Sequence, residues 1–438
     1  DQTQGIDLFL ENLKEQDFKF LVKESGVDEA LIREAAELIS IKSKIIICWA
    51  MGLTQQKNAV SNIQELVNLL LLKGSIAKKG AGTCPVRGHS NVQGDRTMGI
   101  WERPPPDFLS RLGNYFDFEP PKEHGYDVVN GIQAMETGAI DIFIALGGNL
   151  VAAGPDTETI QAAMQQTSLT VQISTKLNKS HFYCGEEALI LPCLARSEKD
   201  RTGGKEQYVT VENSMGIVHK SRGQIKPAAK MLKSEVDIIC EIAAQSLDCK
   251  HPFLEYKNDY DTIRKDISKT IPGFANFAKK LKNPAGFYLP NAPRDRQVFP
   301  TDTGFANFSQ APLTKSQPGP GRLGLMTIRS HDQFNTTIYG LNDRYRGIKN
   351  GRRVVFINRF DRKQLNLEKD SLVDIESTHN GKTRRIKRFQ LVDYDIPRGS
   401  LAAYFPETNP LVAIESTAAI SNTPTSKFIE VLLTNSRK

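Results

Sequence analysis

The stretch from Cys84 to Gly99 carries the densest set of hydrogen-bonding side chains in this sequence. It reads C-P-V-R-G-H-S-N-V-Q-G-D-R-T-M-G and has almost no large apolar side chain. Glycines let a backbone approach a ligand closely, and the polar residues between them supply fixed donors and acceptors. A core element would show apolar periodicity instead. We therefore predict a loop that binds a polar ligand rather than an ordinary surface turn.

Two further polar clusters follow predicted strands. Gly147-Gly148-Asn149 comes after the strand predicted over 140–146. A second cluster comes after the strand predicted over 169–174, and its members are Thr175, Lys176, Asn178, Lys179 and Ser180. Backbone N–H groups, lysines, hydroxyls and amides at strand ends suit a diphosphate or a nucleotide. If both strands belong to one sheet, the two loops converge in space. The alternatives are a plain turn for the first and a solvated loop for the second.

Two more segments join the candidate binding set. The run from Arg329 to Thr337, R-S-H-D-Q-F-N-T-T, directly follows a predicted strand. His331 alone would more often be a structural or surface histidine than a ligand, but its neighbours favour binding. Gly52, Gln55 and Gln56 follow another predicted strand, where a helix N-terminus with polar first-turn residues is an equal alternative.

The predicted secondary structure changes in character along the chain. Strands are predicted over 45–49, 140–146, 169–174 and 188–191, with helices after Asp28, from 51 to about Leu72 and over 130–137. Alternation of this kind predicts a mostly parallel sheet. A hairpin over 208–220 and helices over 234–246 and 259–268 follow. Beyond the linker 317–321, short strands over 325–329, 353–358, 371–377, 387–392 and 428–433 predict a small closed barrel.

Composition excludes several classes of protein. The 438 residues carry a net charge of +7, but 57 Lys and Arg stand against 50 Asp and Glu. The densest basic patch, Lys382–Arg388, lies in a predicted strand as a solvated face, so no nucleic-acid partner is expected. No stretch approaches the ~20 apolar residues of a membrane span. The six cysteines show no C-x-x-C spacing, which favours reduced thiols in a cytoplasmic protein. No serine nucleophile elbow, HExxH, P-loop or G-x-G-x-x-G after a strand occurs.

The run P-V-R-G-H-S-N-V-Q-G over 85–94 resembles that of the molybdopterin oxidoreductases, in the formate-dehydrogenase-alpha-like branch of the dimethyl-sulfoxide-reductase superfamily. Matching segments recur from about Gly26 to Lys427. The resemblance implies that Arg87 lies beside the metal and orients a small anionic substrate, with His89 near the metal. A guanidinium suits this role because it stays charged and matches a carboxylate bidentately. His89 stands where formate-oxidising members carry glutamine.

The same resemblance implies a molybdenum or tungsten ion held by two molybdopterin guanine dinucleotides. Its metal ligand and a 4Fe–4S cluster would lie upstream of Asp1, with no metal ligand in this portion. The residues expected to contact the cofactor are Gly52, Gln55, Gln56, Asn91, Gln93, Gly147, Gly148, Asn149, Thr175, Lys176, Asn178, Ser180, Arg329, Ser330, His331, Gln333, Asn335, Thr336, Asn409, Asn422 and Lys427.

The expected fold class is α/β plus all-β, with an incomplete set of parallel-sheet molybdopterin-binding domains followed by a six-stranded double-psi-like β barrel. The predicted domains are 1–90, carrying the substrate arginine, 91–205, a second dinucleotide-binding half-domain, 206–320, an irregular segment and linker, and 321–438, the barrel. The chain reads as the C-terminal portion of a longer protein.

The expected activity is two-electron oxidation of a small anion such as formate, with electrons leaving through the iron–sulfur cluster to an electron-transfer protein. A nitrate-type oxyanion reductase of the same superfamily is one alternative, and a non-catalytic nucleotide-binding protein is another. The 438-residue chain alone is expected to be inactive, because the groups that make the metal redox-active lie outside it.

Overall fold

The computed structural model describes residues 2–247, 251–313 and 317–437, so Cys249 lies outside the described residues. The chain divides into two compact units. We call the first the barrel unit, which comprises Asp1–Val86, Ala152–Glu158 and Asn291–Lys438. We call the second the sheet unit, which comprises Arg87–Val151 and Thr159–Pro290. The four-domain division expected from the sequence stays a prediction.

The described residues form helices and strands along the whole chain. The helices are α1 (Ile6–Glu15), α2 (Phe18–Ser25), α3 (Glu29–Ile41), α4 (Met51–Thr54), α5 (Ala59–Leu72), α6 (Val92–Thr97), α7 (Pro106–Phe116), α8 (Val128–Glu136), α9 (Leu150–Ala153), α10 (Thr157–Met164), α11 (Glu235–Ser246), α12 (Phe253–Asn258), α13 (Tyr260–Thr270), α14 (Phe277–Lys280), α15 (Ala292–Arg296) and α16 (Arg359–Gln364). The strands are β1 (Thr3–Gln4), β2 (Ile46–Trp49), β3 (Gly82–Pro85), β4 (Ile142–Leu146), β5 (Leu169–Ser174), β6 (Glu187–Pro192), β7 (Val209–Glu212), β8 (Ile217–Ser221), β9 (Phe287–Tyr288), β10 (Ala306–Asn307), β11 (Leu323–Ile328), β12 (Val354–Ile357), β13 (Leu372–His379), β14 (Lys382–Asp393), β15 (Ser400–Tyr404) and β16 (Ile429–Asn435).

Four of the helices predicted from the sequence, α3, α8, α11 and α13, begin at side-chain caps. Asp28 accepts a hydrogen bond from the N–H of Ala30 at the start of α3, at 2.8 Å. Asp127 caps α8 and Ser234 caps α11 in the same way. These caps satisfy N–H groups that have no partner inside the helix. The helices predicted near 28–39, 130–137, 234–246 and 259–268 are therefore confirmed.

Strands β11, β15, β12, β14, β13 and β16 close a six-stranded barrel in that order. The pairs β11/β15 and β12/β14 are parallel, and the other neighbours are antiparallel. Inward-facing Leu325, Val355 and Phe389 are fully buried in its core. The predicted barrel is confirmed, although β15 was missed by the sequence analysis. Its sequence, S-L-A-A-Y, has no β-branched residue, and it forms a strand because β11 and β12 pair with it on both sides.

The sheet unit contains a three-stranded sheet in the order β4-β5-β6, with both pairs parallel. Its core includes Ile173, Cys193 and Ile238, and Ile238 lies on α11. The parallel sheet predicted from the alternation of strands and helices is confirmed. A separate antiparallel sheet, β7-β8-β9, contains the predicted hairpin.

Strand β2 is exposed, and the helix predicted after it is divided. Strand β2 pairs in parallel with β3, but it is not buried, since Ile46 is 51% exposed and Cys48 is also exposed. In the described residues this sheet has two strands. The single long helix predicted after β2 is two helices, α4 and α5, separated by residues 55–58.

The Cys84–Gly99 stretch is also not one continuous loop, as the sequence predicted. It begins as the end of β3, continues without regular structure over 86–91, and ends as α6. Glycine at position 94 leaves room for the side chain of Asn91, because a side chain at Gly94 would meet Asn91 Oδ1 at 2.2 Å.

The basic patch Lys382–Arg388 is only in part the solvated face that was predicted. Arg384 is 6% exposed and pairs with Asp156, whereas most of its basic neighbours on β14 are exposed. Among the described residues, no helix has both the length and the apolar content needed to cross a membrane.

Candidate cofactor-binding site

The loops after β4 and β5 lie together in the sheet unit, as expected for two parallel strands that end at the same edge. Asn178 Nδ2 donates a hydrogen bond to the carbonyl oxygen of Gly148 at 2.8 Å. Ser180 Oγ donates to Asn149 Oδ1 at 3.2 Å and accepts from the N–H of Val151 at 3.1 Å. We call these residues, with Gly147 and His181, the strand-end cluster. Ligands of α/β proteins bind at this edge of the sheet.

Gly147 and Gly148 shape the first loop of the strand-end cluster. Their φ angles are +69° and +77°, in the left-handed region that favours glycine. A side chain at either position would meet no atom within 4 Å. Backbone conformation, not crowding, therefore requires glycine here, and the space in front of this backbone is open within the unit.

His181 belongs to this cluster and was missed by the sequence analysis. The N–H of Asn178 donates to His181 Nδ1 at 3.0 Å, so a neutral ring carries its proton on Nε2. That Nε2 is buried and has no hydrogen-bond partner in the described part of the chain. An unpaired buried donor is costly unless a ligand supplies an acceptor. The available signal was the spacing N-x-x-H, which forms a reciprocal cap between Asn178 and His181.

The segment that follows β3 presents Arg87 and anchors itself through its other polar residues. Arg87 and His89 are exposed, and Arg87 forms no ion pair within the described ranges. Asn91 is used internally: its Oδ1 accepts from the N–H of Glu212 at 3.0 Å, and its Nδ2 donates to Asp95 at 2.9 Å. Gln93 is half-buried in α6. The amide of Asn91 therefore builds the segment and has little capacity left for a cofactor.

Glu212 is the second anchor of this segment, and no sequence pattern indicated it. Thr97 Oγ1 donates to its carboxylate at 2.6 Å. Burial raises the pKa of Glu212, and the hydrogen bond from Thr97 opposes that shift. Through Asn91 and Thr97, Glu212 fixes both ends of α6 to β7.

In the barrel unit, the corner after β11 is held by a buried arginine. Arg352 is 5% exposed and donates to Ser330 Oγ at 2.8 Å and to Gln333 Oε1 at 3.1 Å. It also forms an ion pair with Glu407 at 2.6 Å. Ser330 and Gln333, which we expected to contact the cofactor, therefore have partners within the protein. They act as supports of the corner.

The imidazole of His331 lies at the surface of this corner. Its ring packs on Tyr345 with 3.7 Å between ring centroids, and its backbone N–H donates to Asp343 at 3.2 Å. Asp343 also accepts from Tyr404 Oη at 2.8 Å and from Arg346 at 2.7 Å. Burial disfavours the charged form of this carboxylate. The hydrogen-bond donors outweigh that effect and lower the pKa of Asp343 to about 2.

Two cations without acidic partners lie close together beside the corner. Lys427 is partly buried, and its backbone N–H donates to the carbonyl of Gln55 at 3.1 Å, which brings the loop after β2 to the same place. Burial and the charge of Arg329 lower the pKa of Lys427 to about 8. Burial also lowers the pKa of Arg329, which lies 5.7 Å from the ring centroid of Phe405. We call Arg329 and Lys427 the cation pair.

The donor set of this unit fits an anionic dinucleotide. Neither member of the cation pair forms a salt bridge in the residues that the structure describes. Two desolvated positive charges of this kind favour a negatively charged ligand such as a pyrophosphate. Lys427 Nζ donates to the carbonyl of Thr327, which fixes its direction.

The remaining predicted site residues have different surroundings. Asn409 is 3% exposed and donates to the carbonyl of Ala152 at 2.7 Å, so it supports the fold of the barrel unit. Gln56 donates to the carbonyl of Gly52 at 3.0 Å. Partly buried residues are Asn335, Thr336 and Asn422, and exposed ones are Thr175 and Lys176. Arg87 belongs to the sheet unit and the corner to the barrel unit.

Comparison with known proteins identifies the barrel. Residues 323–430 match the family described as Molydopterin dinucleotide binding domain. The chain is 49% identical over 416 residues to an uncharacterized oxidoreductase of Mycobacterium tuberculosis, covering 93% of this chain and 53% of that protein. It is 25% identical over 294 residues to the F420-dependent formate dehydrogenase subunit alpha of Methanocaldococcus jannaschii, covering 66% of this chain and 42% of that protein. The chain thus spans about half the length of these relatives.

The fold is shared with a solved structure. Acetylene hydratase from Pelobacter acetylenicus superposes with a TM-score of 0.69 at 16% identity, over 99% of this chain and 67% of that one. The barrel match, the oxidoreductase relative and this shared fold agree with the sequence resemblance. Residues 323–430 thus form a molydopterin dinucleotide binding domain, and the chain as a whole is similar to the molybdopterin oxidoreductases of the dimethyl-sulfoxide-reductase superfamily.

Proposed function

We propose that the complete protein is a molybdenum or tungsten enzyme with two molybdopterin guanine dinucleotides that oxidises a small anionic substrate, as formate dehydrogenases do. The observation that carries this proposal is the cation pair of Arg329 and Lys427. It provides two partly buried charges without a carboxylate partner in the described residues, within the 323–430 match to a dinucleotide-binding domain. An anionic dinucleotide supplies the missing negative charge.

In this proposal, residues of the chain bind the cofactor and hold the segments around it in place. In the barrel unit, the cation pair neutralises phosphate oxygens, and Arg352 holds the corner in place through Ser330 and Gln333. In the sheet unit, the Nε2–H of His181 offers a donor to a second polar group. When bound, the cofactor supplies the two-electron redox chemistry.

Arg87 is the proposed anchor of the substrate. Its guanidinium is exposed and has no acidic partner within the described ranges, so it is available to a carboxylate. The relative from Methanocaldococcus jannaschii is a formate dehydrogenase subunit, which supports formate as the substrate. Arg87 would hold the anionic substrate through an ion pair, which requires no proton transfer.

Reduction of an oxyanion such as nitrate is the second candidate, and His89 favours it. This reaction consumes protons, and an imidazole near the reacting atoms can deliver them close to neutral pH. Formate oxidation has no such requirement, and its enzymes carry glutamine at the matching position. The iron–sulfur cluster, the metal ligand, an electron-transfer partner and a cytoplasmic location all belong to the proposal for the complete protein. The 438-residue chain alone stays predicted to be inactive.

Substrate profiling of the complete protein tests the proposal. Formate with an oxidised dye as electron acceptor should give turnover, and nitrate with a reduced dye as donor should give none. The reverse result would favour the oxyanion reductase. Failure of both substrates, in a preparation with full metal content, would contradict both assignments.

A further inference from the structure

Cys48 and Cys84 are neighbours across the β2–β3 pair. The two strands are parallel, and Cys48 is directly paired with Cys84 in their register. Paired residues of adjacent strands project their side chains on the same face, with the strands about 4.8 Å apart. Disulfides form between residues whose Cα atoms are about 4.4–6.8 Å apart. The two thiols therefore lie within bridging reach, although 35 residues separate them in the sequence.

The surroundings of this pair differ from those of the buried cysteines. Cys48 is exposed and Cys84 is partly exposed, and both are free thiols. Cys193 and Cys240 are buried, and burial raises the pKa of each to about 11. Buried thiols of high pKa are chemically inert, whereas an accessible thiol beside a second thiol is the arrangement that undergoes reversible oxidation.

We propose that Cys48 and Cys84 form a dithiol that a low-molecular-weight disulfide, such as glutathione disulfide, converts reversibly to an intramolecular disulfide. In the first step the Cys48 thiolate attacks one sulfur of the reagent, forms a mixed disulfide and releases one thiolate. In the second step the Cys84 thiolate attacks the Cys48 sulfur and releases the other. The protein loses two protons and two electrons, and the reagent gains both to become two thiols.

The geometry sets this order of attack. Cys48 is the exposed thiol and meets the reagent first. The pKa of Cys84 is raised by burial, by a hydrogen bond with Cys48 and by the charge of Cys48. Once Cys48 carries the mixed disulfide, both causes that involve its thiol are gone. Cys84 then ionises more readily, at the moment when its thiolate is needed.

The position of the dithiol connects it to the candidate site. Strand β2 runs directly into the segment that contains Gly52, and β3 runs directly into Arg87, three residues after Cys84. A disulfide would tie the ends of these two strands together. The test of the dithiol follows its two thiols alone, so it does not depend on the proposed function.

The test is thiol mapping of the complete protein. After treatment with glutathione disulfide and blocking of the remaining thiols with a maleimide, mass spectrometry should find the Cys48 and Cys84 peptides joined, with the loss of two hydrogen atoms. Dithiothreitol should restore both thiols to labelling. If both cysteines stay free, or if Cys48 retains glutathione in the unaltered protein, the proposal is overturned.

Three variants test which thiol reacts at each step. Cys84→Ser should trap the mixed disulfide, so that Cys48 keeps its glutathione. Cys48→Ser should leave Cys84 unmodified on the same timescale. Cys240→Ala, which removes a buried thiol on α11, should form the Cys48–Cys84 disulfide as the unaltered protein does. A joined peptide that survives in either serine variant would show that the bond has been misassigned and would contradict the proposal.

Discussion

At the scale of single residues, the candidate site separates groups that support the fold from groups that await a ligand. Ser330, Gln333 and Asn409 have their hydrogen bonds satisfied inside the barrel unit. Arg329 and Lys427 have positive charge without an acidic partner in the described residues, and burial lowers the pKa of both. Residue type alone could not separate these two groups, because serine, glutamine and lysine can serve either purpose.

Replacing Arg87 with Lys in the complete protein should raise KM for the anionic substrate on the order of 10- to 100-fold, because a bidentate charged contact is worth about 1.5–3 kcal/mol. The metal content should not change. Steady-state kinetics and metal analysis measure the two quantities. Arg196→Lys, an exposed arginine of the same unit, is the matched control and should leave KM unaltered. An unchanged KM in Arg87→Lys would argue against the anchoring role.

Lys427 gives a pH dependence with a definite sign. Its pKa is about 8 in the folded, cofactor-free protein and about 10.4 when unfolded. Between these values the unfolded state binds more protons, so the free energy of unfolding rises with pH. In cofactor-free protein the rise should be on the order of 1–3 kcal/mol and absent in Lys427→Met.

Urea unfolding across this pH range measures the difference between the two proteins. The exposed Lys369 lies in the same barrel unit, and Lys369→Met should keep the rise. Parallel pH profiles for the unaltered protein and Lys427→Met would show that Lys427 is not desolvated.

At the scale of elements, one buried ion pair fastens the segment 152–158 to strand β14. Arg384 donates to Asp156 Oδ2 through Nε at 3.0 Å and through Nη2 at 2.5 Å. Both residues are nearly fully buried, at 6% and 3% exposure. The N–H of Ile414 donates to the same carboxylate oxygen at 3.4 Å. One carboxylate thus joins three stretches of chain within the barrel unit.

Asp156→Asn should lower the free energy of unfolding by at most about 3–5 kcal/mol, because it removes the buried counter-charge of Arg384 and leaves the more exposed Glu415, 3.3 Å away, as its acidic partner. The double variant Asp156→Asn/Arg384→Met should lose less, since both charges are removed. Chemical denaturation measures the two. Glu29→Gln, which breaks the exposed pair with Arg33, should cost under about 1 kcal/mol. A loss in Asp156→Asn as small as in this control would mean that the pair is solvated.

At the scale of the whole molecule, the sequence predicted what depends on local patterns. Apolar runs predicted β4, β5 and β6, and the helices α3, α8 and α11 were predicted close to their observed positions. Strand β15 was missed because its stability comes from strands β11 and β12, which are distant in sequence. The same limit applies to the site. The convergence of Gly148 with Asn178 followed from parallel strand ends, whereas the roles of Glu212 and Arg352 depend on partners distant in sequence that no local pattern reveals.

We propose that the complete protein binds a metal through molybdopterin guanine dinucleotides. The most direct test is elemental and nucleotide analysis of the complete protein, purified without added cofactor. We expect about one molybdenum or tungsten ion per chain, with two guanine nucleotides released on acid hydrolysis. In Lys427→Met, both contents should fall together. A well-folded complete protein that contains neither metal nor guanine nucleotide would contradict the account and favour a non-catalytic binding protein.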